Sequence, residues 1–210
     1  MPIKNIDCYG NKKNDLVKNY FLTPIAHIKM LPHMKKDGCC GELTEEFYIF
    51  SYTDIKTKQD RGTFFVGHDC AHKLIDMVNV IKKNASSEPL DIPPTFDISI
   101  DGGFAGGYKK PIKVLNYDVL TIMLLLASSW DVKAFYGAPA NILERIVRSP
   151  LKLISRRDIL KVNELIEKVD LFKTIKKHEN EGAKIGHFTI PYFKTVLDFI
   201  QSEESDIIRK

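Results

Sequence analysis

The sequence has no apolar run long enough to cross a membrane. Its longest, Val119 to Trp130, already includes Thr121, Ser128 and Ser129. A span needs about 20 residues, so this run reads as a buried helix. No apolar stretch follows the opening Met-Pro-Ile-Lys-Asn-Ile-Asp, so neither secretion nor export is expected. A strong charge of one sign is also missing. The 31 Lys+Arg against 27 Asp+Glu leave +4, too mild to name a polyanionic partner by itself. There is no internal repeat and no low-complexity tract, and 44% hydrophobic residues among 210 supply a real core, which excludes a disordered chain, collagen or a fibre. Cysteine is sparse and irregularly spaced: Cys8, Cys39, Cys40 and Cys70. That pattern does not suit a disulfide-stapled secreted domain, and reduced thiols in a cytoplasmic protein are the expectation.

Several catalytic signatures are absent as well. Neither His-Glu-x-x-His nor the zinc-deaminase pair of motifs occurs. The glycine-rich stretch Asp101-Gly-Gly-Phe-Ala-Gly-Gly-Tyr108 is followed by Lys-Lys-Pro111. A phosphate loop needs a Lys-Ser/Thr pair opening a helix, so a flexible loop or tight double turn is expected instead.

What is present divides the chain into three parts. Residues 1–38 read as irregular and polar, apart from an apolar stretch from Tyr20 to Leu31 broken by Pro24. Glu46–Tyr52 and Gly62–Val66 are rich in aromatic and β-branched residues and read as a hairpin. After Gly67, the spacing of Ala71, Leu74, Ile75, Val78 and Ile81 predicts a helix. Ala85–Pro94, with its serines and prolines, reads as a linker. Helices are predicted over 116–130, 137–148, 156–168 and 190–202, with a capping box at Ser155-Arg-Arg-Asp158 and a start signal at Thr189 and Pro191. The expected fold class is α+β: a hairpin-plus-helix module over 1–85, a linker and glycine-rich loop over 86–115, and a mainly helical domain over 116–210.

One constellation carries chemistry. Gly38-Cys39-Cys40-Gly41 precedes the hairpin, and Gly67-His68-Asp69-Cys70-Ala71-His72 begins the helix after it. Zinc takes four N or S ligands in a tetrahedron, commonly from a turn before a hairpin and from the start of the next helix. A hairpin folds its two ends together, and a helix N-terminus favours a thiolate at Cys70. Cys39, Cys40, Cys70, His33, His68 and His72 are therefore the candidate ligands. Adjacent Cys39 and Cys40 are poorly placed to face one partner together, and Cys8, outside the module, reads as a core residue. His27, His178 and His187 have no ligand context.

This stretch, with Cys40-Gly41, Tyr48–Tyr52 and Val66-Gly67-His68-Asp69-Cys70-Ala71, resembles the zinc-ribbon-like module of uncharacterised phage and plasmid proteins over roughly residues 33–84. That pattern has a first cysteine where this sequence has Asp37, with Cys39 displaced by two positions. The resemblance implies a mobile-element context and a structural zinc. The expected function is a non-enzymatic accessory protein that binds nucleic acid or a host protein. The alternative is a metal-dependent hydrolase or nuclease using Cys70 and the neighbouring histidines at an open site. Arg145, Arg148, Lys152, Arg156 and Arg157, around the Ser149-Pro150 break, are the candidate phosphate contacts.

Overall fold

The structure, a computed structural model, describes residues 6–32, 34–58, 61–101, 103–129, 135–186 and 208–209. Helix α1 (Lys12–Asn19) leads into strand β1 (Tyr20–Lys29). A short hairpin, β2 (Lys36–Gly38) and β3 (Gly41–Leu43), precedes a longer one, β4 (Glu46–Asp54) and β5 (Arg61–Val66). Then come helix α2 (His68–Asn84) and strands β6 (Thr95–Asp97) and β7 (Ile112–Lys113). Helices α3 (Val114–Ser129), α4 (Ala138–Arg148), α5 (Arg156–Val169) and α6 (Leu171–Asn180) follow, and strand β8 (Ile208–Arg209) pairs with β7. The chain is α+β, as its sequence suggests.

One mixed sheet runs in the order β5-β4-β1-β6, antiparallel except for the β1–β6 pair. Successive strand residues point to opposite faces, and here both faces are covered. Ile28, Phe47, Ile49 and Phe65 enter a core shared with α3, α4 and α5. Tyr48, Phe50, Tyr52, Phe64 and Val66 enter a second core with Leu16 and Val17 of α1 and Ala71, Leu74, Ile75 and Val78 of α2. The run Glu46–Tyr52 therefore lacks a polar alternation because no face of β4 is left to water. No described helix is long and apolar enough to cross a membrane.

Three stretches differ from their sequence reading. The part before residue 38 reads as irregular, yet it holds α1 and the longest strand of the sheet. Pro24 is tolerated inside β1 because it sits at a register shift between Pro24 and Ala26, where the ladder is already interrupted. Residues 86–115 read as linker and loop, yet they contribute β6, β7 and the buried Phe96, Ile98, Phe104 and Ile112. The glycine-rich stretch is a packed turn. Gly103 adopts φ +81°, and a Cβ there would lie 2.2 Å from the Phe96 ring, which packs edge-on against Phe104. Helix α6 has no counterpart among the predicted segments. It starts from Asp170, whose left-handed backbone (φ 47°) breaks the chain after α5 and whose side chain accepts from the Lys173 amide.

Helices α3, α4 and α5 fall close to their predicted positions, and the capping box at Ser155 and Asp158 is present. Trp130, His187 and the helix predicted over 190–202 lie outside the described residues. Helix α3 is buried on every side, so Leu120, Met123, Leu124 and Ala127 are part of a wholly interior helix, not one apolar stripe. Replacing fully buried Leu124 by Ala should cost about 2–5 kcal/mol, read from urea unfolding. A loss below about 0.5 kcal/mol would mean that α3 is not the centre of the core.

Candidate metal centre

Gly38 pairs with Gly41 at the end of the β2–β3 hairpin, which leaves Cys39 and Cys40 as its two-residue tip. Gly41 takes φ +126°, a conformation side-chain-bearing residues avoid, and this closes the turn. The tip is fastened to its neighbours through the backbone: the Cys39 amide donates to Phe65 O at 2.8 Å, and the Cys8 amide donates to Cys39 O at 3.3 Å. These bonds bring the residues before α1 and the end of β5 to the same place. Helix α2 begins two residues after β5, so Cys70 in its first turn arrives there too.

Three cysteine sulfurs consequently converge: those of Cys8, Cys39 and Cys40 lie within 4.8 Å of one another. Cys8 and Cys39 are joined as a disulfide, which corrects the expectation of reduced thiols for these two: the hairpin tip brings Cys39 against the segment before α1. Cys40 Sγ lies 2.6 Å from Cys8 Sγ and 3.6 Å from Cys39 Sγ. The Cys70 thiol lies beside Cys40 and acts on its titration. Burial and, after it, the neighbouring Cys70 push the Cys40 thiol up to about 12. A thiolate in this cluster therefore needs a cation to offset its loss of hydration.

The position of each candidate is then clear. Cys39 and Cys40 do face one partner together, because they occupy a hairpin tip and not a strand. Cys8, with no neighbouring motif to mark it, is fully buried against them. His33 lies outside the described residues. His68 and His72 are not among the groups that close on the sulfurs. They join His27, Glu46 and Tyr48 at the adjoining edge of α2, where His68 Nδ1 is 2.7 Å from Glu46 Oε1 and His72 Nε2 is 3.2 Å from the Tyr48 hydroxyl. Burial, with the Glu46 charge adding to it, raises Tyr48 to about 12, so its hydroxyl stays protonated. Sequence spacing carries no signal for His27 or Glu46. Only the β1–β4 register, which sets His27 opposite Tyr48, brings them here.

The basic candidates divide into two groups. Arg145 Nη2 donates to Asp158 Oδ1 at 2.6 Å, and Arg148 Nη2 is 2.8 Å from Glu144 Oε1 and 3.1 Å from Thr23 Oγ1. Arg145 thus ties α4 to α5, and Arg148 ties α4 to β1. Lys152, Arg156 and Arg157 are exposed. Lys152 joins Lys110, Pro111, Ser149, Pro150 and Leu151 around a groove of about 740 Å³. Buried Asn116 fixes this connection by donating to Pro150 O and Lys152 O and accepting from the Ile154 amide.

Residues 7–203 match the family described as Uncharacterised conserved protein UCP028583, and the chain belongs to that family. No curated protein and no solved structure matches it.

The ion pair at the junction makes a pH-dependent prediction. Burial alone would raise Asp158, but hydrogen bonds from Arg145 and Ser155 outweigh it and hold the carboxyl below its ordinary 3.8. Its contribution is present above that ordinary value and is lost as pH falls through the lower folded value. Asp158→Asn should cost about 0.5–2 kcal/mol near neutrality, as a lost cap does. The gap to the unmodified protein should close in strongly acidic buffer, and a gap that is constant with pH would exclude the charge as its cause.

Proposed function

We propose that this chain is a non-enzymatic binding protein built around a structural zinc centre, with Cys8, Cys39, Cys40 and Cys70 as its four ligands. The observation that carries the reading is the cluster of the Cys8, Cys39 and Cys40 sulfurs, all within 4.8 Å of one another, with Cys70 of α2 beside Cys40. A disulfide joins two sulfurs; it gives no reason for Cys40 to lie 2.6 Å from Cys8 Sγ or for Cys70 to close on Cys40. Four thiolates are a donor set that suits zinc, and a closed set leaves no position for substrate. Bound zinc would supply the positive charge that lets buried Cys40 and its neighbours ionise, and it would tie α1, the hairpin tip and α2 together. Such a centre forms only once the Cys8–Cys39 disulfide is reduced, because zinc takes thiolates and not disulfide sulfurs.

The partner surface that fits this reading best is the groove at Lys110 and Lys152 with Arg156 and Arg157 on the next helix, and nucleic acid is the partner proposed for it. An accessory role in a phage or other mobile element rests on the resemblance of residues 33–84 to such modules.

Elemental analysis of protein purified under reducing conditions should give about one zinc per chain, as four-cysteine structural sites do. Cys8→Ser and Cys70→Ser should each remove it and lower the melting temperature. Zinc below about a tenth of an equivalent, with both variants melting normally, would mean a metal-free thiol cluster. For the surface, Lys152→Ala/Arg156→Ala/Arg157→Ala should flatten the salt dependence of oligonucleotide binding, by about 0.9 in log–log slope for each phosphate no longer neutralised. An unchanged slope would remove nucleic acid from the reading and leave a protein partner.

A further inference from the structure

We infer that His27, Glu46 and His68 form a second metal site, separate from the cysteine centre and open on one side, which takes a divalent transition ion. The three residues come from three elements: the C-terminal end of β1, the first residue of β4 and the first residue of α2. The Glu46 carboxylate lies between two imidazoles, with Oε2 2.9 Å from His27 Nε2 and Oε1 2.7 Å from His68 Nδ1. The ligand atoms of all three lie within 4.8 Å of one another.

The site is built around its most buried member. His27 is 8% exposed. Its ring stacks on Tyr48, with centroids 4.2 Å apart and planes 5° from parallel. Its Nδ1 is 2.9 Å from Thr95 Oγ1 on β6. Metal-bound histidines are characteristically held in this way, with the far ring nitrogen donating to an oxygen and the near one aimed at the ion. In the tautomer that donates Nδ1–H to Thr95, Nε2 presents a lone pair toward the carboxylate, an arrangement that a cation between them makes favourable. Among the described residues, both ion-pair partners of Glu46 are histidines; the nearest lysine on the paired strand, Lys29, is 3.0 Å from Asp97 instead.

The donor types select the ion. Two neutral imidazoles and one carboxylate suit zinc, cobalt, nickel or ferrous iron; magnesium and calcium prefer all-oxygen shells. Three protein ligands leave at least one position for water or another small ligand. Glu46 and His68, with side chains 34% and 50% exposed, place the open side toward solvent. His72, one turn beyond His68 and with its ring 4.3 Å away, borders the site and is held by the Tyr48 hydroxyl.

Cobalt(II) is the probe that separates this site from the cysteine centre. Full-length protein loaded with zinc as purified and titrated with Co²⁺ should take up one further equivalent. That equivalent should give weak d–d absorption without a thiolate-to-cobalt charge-transfer band. His68→Ala and Glu46→Gln should each weaken this binding by about 100-fold or more, the upper end of what even outer-shell changes cause, at an unchanged cysteine-bound zinc content. His68 is half exposed, so His68→Ala should melt normally and decides the matter if Glu46→Gln is unstable. Failure to bind Co²⁺ beyond the cysteine centre, or binding unaffected by His68→Ala, would overturn the site. If the zinc–cysteine reading is the one that fails, the charge-transfer band is missing in metal-free protein while the d–d absorption remains.

Discussion

Strand β4 has to satisfy two cores at once. Phe47 and Ile49 pack toward the helical layer of α3, α4 and α5, whereas Tyr48, Phe50 and Tyr52 pack toward α1 and α2. A one-residue slip would exchange the two sets and send phenylalanine and tyrosine into pockets shaped for the other, so the register is firmly specified. Everything at the candidate centre inherits that register. The β1–β4 pairing sets His27 opposite Tyr48 and Lys29 opposite Glu46, and the β4–β5 pairing ends with Val66 opposite Tyr48. Helix α2 begins two residues later with its buried face, Ala71, Leu74, Ile75 and Val78, committed to the sheet. Its first turn must therefore sit over the edge where Glu46, Tyr48 and the cysteine tip already lie.

The first turn of α2 serves two kinds of chemistry from residues two apart. Cys70 turns to Cys40 at the edge of the sulfur cluster, and His68 turns to Glu46 and His27. Residues i and i+2 on a helix do not share a face, which is what keeps a thiol cluster and an imidazole–carboxylate cluster apart in so small a space. Softness of the donors reinforces the separation: sulfur atoms make up one group, imidazoles and a carboxylate the other.

Local signals carried much of this arrangement into the sequence and non-local ones did not. The β4–β5 hairpin and α2 are legible because their aromatic, β-branched and helical periodicities are strong within a few residues. The Ser155 cap is legible because its partner is three residues away. Cys39, Cys40 and Cys70 stand out through their flanking glycines and a hairpin that folds its ends together. Cys8 has no such context, and it is placed by non-local links, a backbone bond and a disulfide to Cys39. His27 and Glu46 lie 19 residues apart on strands whose pairing no motif announces, so their approach is a property of the register alone. Strand β1 is hidden by Pro24, since a proline in a central strand normally argues against one and the bulge that admits it cannot be seen in advance.

The two flanks of the sheet also differ in what holds them. On the α3 side the buried surface is almost entirely aliphatic and aromatic, and α3 has no polar face to lose, so that layer is maintained by area and packing density. On the α1–α2 side the core is smaller and its rim is made of cysteines, histidines and a carboxylate. Apolar burial supplies less there, and short-range polar and sulfur interactions set how α1, the hairpin tip and the start of α2 meet. A change that leaves the large core intact can therefore still loosen the smaller one. The chemistry of the chain is gathered on the layer whose cohesion depends on that chemistry.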